Sequence, residues 1–172
     1  MEKELNQVEK LILLNQYKIL RDLAVLKKDE NDEELYDNNI KILQNGFAHN
    51  YTDLTDELSN DMLNEDCELV WDILELYSYI NFSFKRLKNS TIKETDIKFI
   101  GFDGNNELEL RSYCKFIIKD LHRFCELLDS SNDDLNSHHE MFMNYKKMIE
   151  KWNDMGKPYE LSEEQIIEIL GL

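Results

Sequence analysis

Asp96, Gly101 and Glu107 occupy the first, sixth and twelfth places of the stretch DIKFIGFDGNNE, residues 96–107. A calcium-binding loop sets its first ligand, its turn glycine and its bidentate carboxylate at this spacing. The third and fifth places hold Lys98 and Ile100, which cannot donate the required oxygens, so the stretch fails as a calcium loop. Two glycines ahead of a helix start could turn backbone N–H groups toward a phosphate. No lysine follows the second glycine, however, and the pattern is not a Walker loop. Asp103, Glu107 and Glu109 already place negative charge at that helix start, where they cap the helix and repel a phosphate. The expectation is a corner: an extended piece carrying Ile97, Phe99, Ile100 and Phe102 onto the core, a turn, and a negatively charged helix start.

Two other clusters hold groups capable of chemistry. His122 and Cys125 lie three apart in a helical pattern, with Cys114 some turns earlier. Both cysteines fall on or beside a stripe of Ile118, Leu121 and Leu128, where a free thiol packs as a small apolar group. No CxxC or HExxH spacing accompanies them. His138 and His139 with Asp133 and Asp134 form the densest titratable group. Adjacent helical residues point about 100° apart, so two neighbouring histidines do not readily serve one site. The cluster reads as a solvated loop. No serine sits in a G-x-S-x-G elbow. No catalytic residue, metal or cofactor is expected, and the reading leans away from an enzyme.

The elements that position these residues are helices. Five glycines and one proline in 172 residues leave few breakers, and the length suits one domain, residues 1–172, with a real core. The expected fold is all-α, with about six to seven helices and at most a short extended segment near 97–102. The first helix spans about 3–28, with Leu5, Val8, Ile12, Ile19, Leu23 and Leu26 on one face. Asn15 and Gln16 interrupt that stripe, and a polar residue in an apolar seam can set register or partner number. A capping box of Asn31 and Glu34 starts a second helix. Its buried face is Tyr36, Ile40, Leu43 and Phe47, and Gly46 supplies the left-handed stop, with Phe47 folding back on Ile42. The segment 65–89 is apolar nearly all round and is the expected centre of the fold, with Lys85, Arg86 and Lys88 in its last turn. A further helix runs from about 110 to 129. Beyond the polar loop SSNDDLNSHH another carries Met141, Tyr145, Met148, Ile149 and Trp152, closed by Gly156 and Pro158. Ser162 and Gln165 cap the last.

The formal charge of −16 sets a field that repels DNA, RNA and anionic membranes. It fits plain solubility, a basic partner, or a mimic of the charge of DNA. No uncharged apolar run reaches the roughly 18 residues a membrane span needs. Three cysteines without framework spacing point to a reducing cytoplasm.

In order along nearly the whole chain stand LILLNQYKIL (11–20), ILQNGF (42–47), EDCELVWDILELY (65–77), IKFIGFD (97–103), YCKFII (113–118), YKKMIEKW (145–152) and PYELSEEQIIEIL (158–170). With these the chain resembles the YfbU family, helical proteins of bacteria and archaea without an established biochemical role. NQYK and GFD, at their long spacing, are the specific part. Glu140 stands where the family pattern has a proline, a departure within the polar loop. The resemblance implies a multi-helical, self-associating fold. Relatives that carry an added helix-turn-helix extend the implication to a small ligand. It implies no catalytic residues.

The leading expectation is therefore a non-enzymatic, homo-oligomeric regulatory or interaction module with a small-molecule ligand or a protein partner. Asn15, Gln16, Tyr17, Asp103 and Arg123 are its pocket or interface residues. The alternatives are an acidic, DNA-mimicking inhibitor of a nucleic-acid-binding protein and, behind it, an unrecognised hydrolase or metal enzyme.

Overall fold

A computed structural model of the protein describes residues 5–55, 58–128 and 133–172. The expected first-helix start at Lys3, the helix end at Asp129 and positions 130–132 of the polar loop lie outside the described residues. The chain forms two compact units, Met1–Asp61 and Met62–Leu172. Both are helical, and the only β pairing among the described residues is one isolated bridge.

The first unit is a hairpin of α1 (Gln7–Lys27) and α2 (Glu30–Asn45) followed by short 3-10 turns. Asn6 starts α1: its Oδ1 accepts the Val8 and Glu9 N–H groups, and Glu9 reciprocates by accepting the Asn6 N–H. Lys28 takes a left-handed conformation and ends the helix. Only Asp29 then remains in an extended conformation to start α2. It accepts the Asp32 N–H at 3.2 Å and takes the place expected for Asn31. Gly46 ends α2 in the left-handed region, as expected, and the Phe47 N–H bonds Ile42 O at 3.0 Å. The Phe47 ring itself stays exposed, not on the buried face.

The stripe on α1 also needs correction. Val8, Ile12, Ile19, Leu23 and Leu26 point outward, from 45% exposed at Leu23 to 79% at Leu26. The face turned to α2 carries Leu13, Tyr17 and Ala24 instead. Ala24 is buried on α1, and Ile40 and Leu43 are buried on α2. The sequence periodicity was real, but α1 is apolar on two opposite sides.

The second unit is built around α3 (Asn64–Phe84), the expected centre. Val70, Ile73, Leu74, Leu76, Tyr77 and Ile80 are all buried, which needs neighbours on several sides. The helix stops at Phe84, so Lys85, Arg86 and Lys88 follow its end and do not form its last turn. The helix expected over 110–129 is much shorter. α4 (Leu108–Lys115) passes into a π-helical turn, Phe116–Asp120, in which the Leu121 N–H reaches back to Phe116 O. The wider turn lets the neighbours Ile117 and Ile118 both face the core. His122 and Phe124 then take left-handed conformations and lead the chain away. α5 (Phe142–Asp154) and α6 (Glu163–Leu170) complete the unit, with the Gly156 stop and the Ser162–Gln165 capping box where expected.

Candidate functional site

The stretch from Gly101 to Glu107 is where the second unit spends its buried polarity. Gly101 has φ +85° and lies so close to the backbone of Leu135 that an added Cβ would stand 2.1 Å from Leu135 O. Phe102 makes a parallel bridge with Asn136: its N–H donates to Leu135 O, and its carbonyl accepts the Ser137 N–H, both at 3.2 Å. Gly104 donates its N–H to Asn136 Oδ1 at 3.0 Å, and a Cβ there would press on the same amide. Both glycines are thus explained by close chain approach.

The acids at the corner have structural tasks. Asp103, buried, accepts the Asn105 and Asn106 N–H groups and the Asn106 side-chain amide. Glu107, also buried, accepts the Asp103 N–H at 2.8 Å through Oε2. Through Oε1 it accepts the N–H groups of Met141 at 2.8 Å and Phe142 at 2.6 Å, the start of α5. A carboxylate at a helix N-terminus satisfies orphan donors and meets the positive end of the dipole. Glu107 was expected at the start of α4; its main service is to α5, a partner 34 residues away that no local pattern announces. Behind the corner, Tyr77, Phe99, Phe102 and Tyr145 pack with ring centroids 5.2–6.2 Å apart. The Tyr145 hydroxyl donates to Gly101 O at 3.0 Å, and burial pushes its pKa well above the ordinary value.

On the outer side of the corner lies a groove of about 680 Å³. Met62, Leu108, Phe142 and Met143 give it apolar walls, Asn105 and Asn106 offer amides, and Asp66, Glu109 and Glu140 bring carboxylates. Such a lining favours an apolar molecule with a positive end and disfavours an anion.

The residues expected at a site are dispersed. Asn15 and Gln16 are both exposed on α1, and Gln16 reaches the side that carries Tyr17. Tyr17 donates its hydroxyl to Leu54 O at 3.2 Å, and its ring lies 6.1 Å from the Tyr36 ring. It walls a cavity of about 290 Å³ with Leu13, Gln16 and Asn39. In the second unit Asp103 is buried and occupied with its turn, whereas Arg123 is exposed beyond the π-helical turn. His122 and Cys125, expected on one helix, straddle a left-handed residue, and the Cys125 thiol turns to Ile118 O at 3.6 Å. Cys114 is enclosed, and burial raises its pKa to about 12, which holds it as an unreactive thiol. No group of three or more His, Cys, Asp or Glu side chains suited to a metal occurs among the described residues.

The close approach of Gly101 to Leu135 and the turn held by Asp103 account for Gly101 and Asp103 of the GFD stretch. The family model for the YfbU domain matches residues 3–171. The chain belongs to the YfbU family. Consistent with this, it is 34% identical over 173 residues to the UPF0304 protein MJECS11 of Methanocaldococcus jannaschii, covering 97% of this chain and 99% of that one. The YfbU match extends through both compact units. No helix among the described residues is long and apolar enough to cross a membrane.

Proposed function

We propose that this YfbU protein is a non-enzymatic regulatory or interaction module of the cytoplasm that works as a self-associated assembly. The observation that carries this reading is the outer face of α1, where five large aliphatic side chains stand exposed along one helix. Contiguous apolar surface of this kind marks an interaction site. The hairpin unit buries few apolar side chains of its own, Ala24, Ile40, Leu43 and Tyr51 among its described residues, and has much to gain from a partner. The groove beside the corner is the favoured ligand site, and its lining supports a small apolar molecule with a cationic end.

Light scattering coupled to size exclusion tests the assembly. The wild-type chain should run as an oligomer at micromolar concentration. The variant I12D/I19D should run as a monomer with unchanged helical circular dichroism, because both positions are exposed and a charge there costs the subunit little. A wild-type mass equal to one chain across the whole concentration range defeats the reading.

A further inference from the structure

Asn39 is the anomaly of the first unit. It lies on α2, only 8% exposed, and its side-chain amide has no hydrogen-bond partner among the described residues. Nor is that amide sealed into apolar packing. The one fully enclosed orphan among the described side chains is the Tyr51 hydroxyl. The Asn39 side chain opens instead on the cavity of about 290 Å³. A buried amide without a partner costs stability that an aliphatic side chain of similar shape would not.

The rest of the lining narrows what would satisfy it. Tyr17 and Tyr36 bring two aromatic rings, 6.1 Å apart, and Leu13 and Leu54 add aliphatic wall. Such walls favour a flat, largely apolar body. A carboxamide sets an acceptor beside a donor, and so matches an edge that holds a donor beside an acceptor. Nucleobases carry such edges, and asparagine pairs with adenine in this way. Gln16, exposed, places a second amide at the cavity. Asp53 in the lining and the chain charge of −16 oppose an anion, so a free base suits the cavity and a nucleotide does not. The volume lies at the lower edge of the roughly 300–1,000 Å³ of small-molecule sites, which keeps the occupant small.

We propose that this cavity binds an uncharged nitrogen heterocycle of the nucleobase kind, held at its edge by the Asn39 amide and flanked by Tyr17 and Tyr36. The site belongs to the first unit and is additional to the groove of the second. It stands whether or not the chain self-associates.

NMR of the isotope-labelled full chain tests this through the side-chain NH₂ pair of Asn39. The probes are adenine and cytosine, with toluene as an apolar control and adenosine monophosphate as an anionic one. Adenine or cytosine at millimolar concentration should move the Asn39 pair, and the monophosphate should bind more weakly than adenine. N39L should weaken the base by about tenfold or more, the scale of one lost hydrogen bond. The same variant without ligand should melt at or above the wild-type temperature, because no protein hydrogen bond is lost; a residue kept for structure would melt lower. Two bases that both leave the Asn39 pair unmoved overturn the proposal, and that wild-type result decides even where N39L does not fold. Equal affinity of N39L for the base, or toluene binding as tightly as adenine, would reduce the cavity to an apolar hollow and likewise overturn it.

Discussion

Glu107 and Gly101, places in a failed calcium loop, organise much of the second unit. Glu107 serves three backbone N–H groups from one buried carboxyl. Replacing it with alanine leaves those donors without their partner, and each buried unsatisfied donor costs about 1–3 kcal/mol. E107A should therefore lose about 3 kcal/mol or more in urea unfolding, and E107Q, which keeps one carbonyl oxygen, should lose less. G101A should be comparably damaging, since its Cβ would collide with Leu135 O and its left-handed backbone disfavours a side chain; a melting temperature within a degree or two of wild type would contradict that. At this scale the sequence was partly legible. Glu107 does serve a helix start, but that of α5; α4 begins without a side-chain cap, and Asp103 holds the turn before it. Which helix Glu107 starts was invisible, because the donors it serves arrive from far along the chain.

Helix existence and type were read well from breakers and periodicity, as α3, α5 and α6 illustrate. The direction of a stripe was not. Periodicity tells that Val8, Ile12, Ile19 and Leu23 share a face, but it does not tell whether α2 or solvent meets it. Ala24 was the signal that mattered, a small residue on the opposite side where the second helix settles. The π-helical turn after α4 was hidden for a different reason, since an i→i+5 step leaves the apolar positions looking like a continued helix. α6 offers a test in solution. Glu163, in its first turn, accepts the Thr91 N–H at 2.7 Å, then the Thr91 and Ser90 hydroxyls, and these bonds hold its pKa below the ordinary glutamate value. A depressed folded pKa contributes stability above the unfolded value and loses it as pH falls through the folded one. Carboxyl NMR should show Glu163 titrating below an unstructured peptide glutamate, and T91V should move the midpoint upward.

At the scale of the molecule, a charge of −16 per chain must be brought close to an equal charge in any self-association. The α1 face is apolar, so added salt screens the repulsion while leaving the contact itself in place. The assembly should accordingly tighten between 50 and 500 mM sodium chloride in sedimentation equilibrium. Loosening over that range would instead point to an interface held by ion pairs.

The corner also bears on how fast the chain comes apart. Contacts from Phe102 to Leu135 and from Glu107 to Met141 span more than thirty residues, and such closures exact their entropy before they return any energy. They should therefore form late on the folding route, after α3 and its near neighbours have collapsed. Interactions absent from the transition state govern unfolding. Trimming Glu107 should thus leave the refolding rate nearly unchanged and shorten the lifetime of the folded chain.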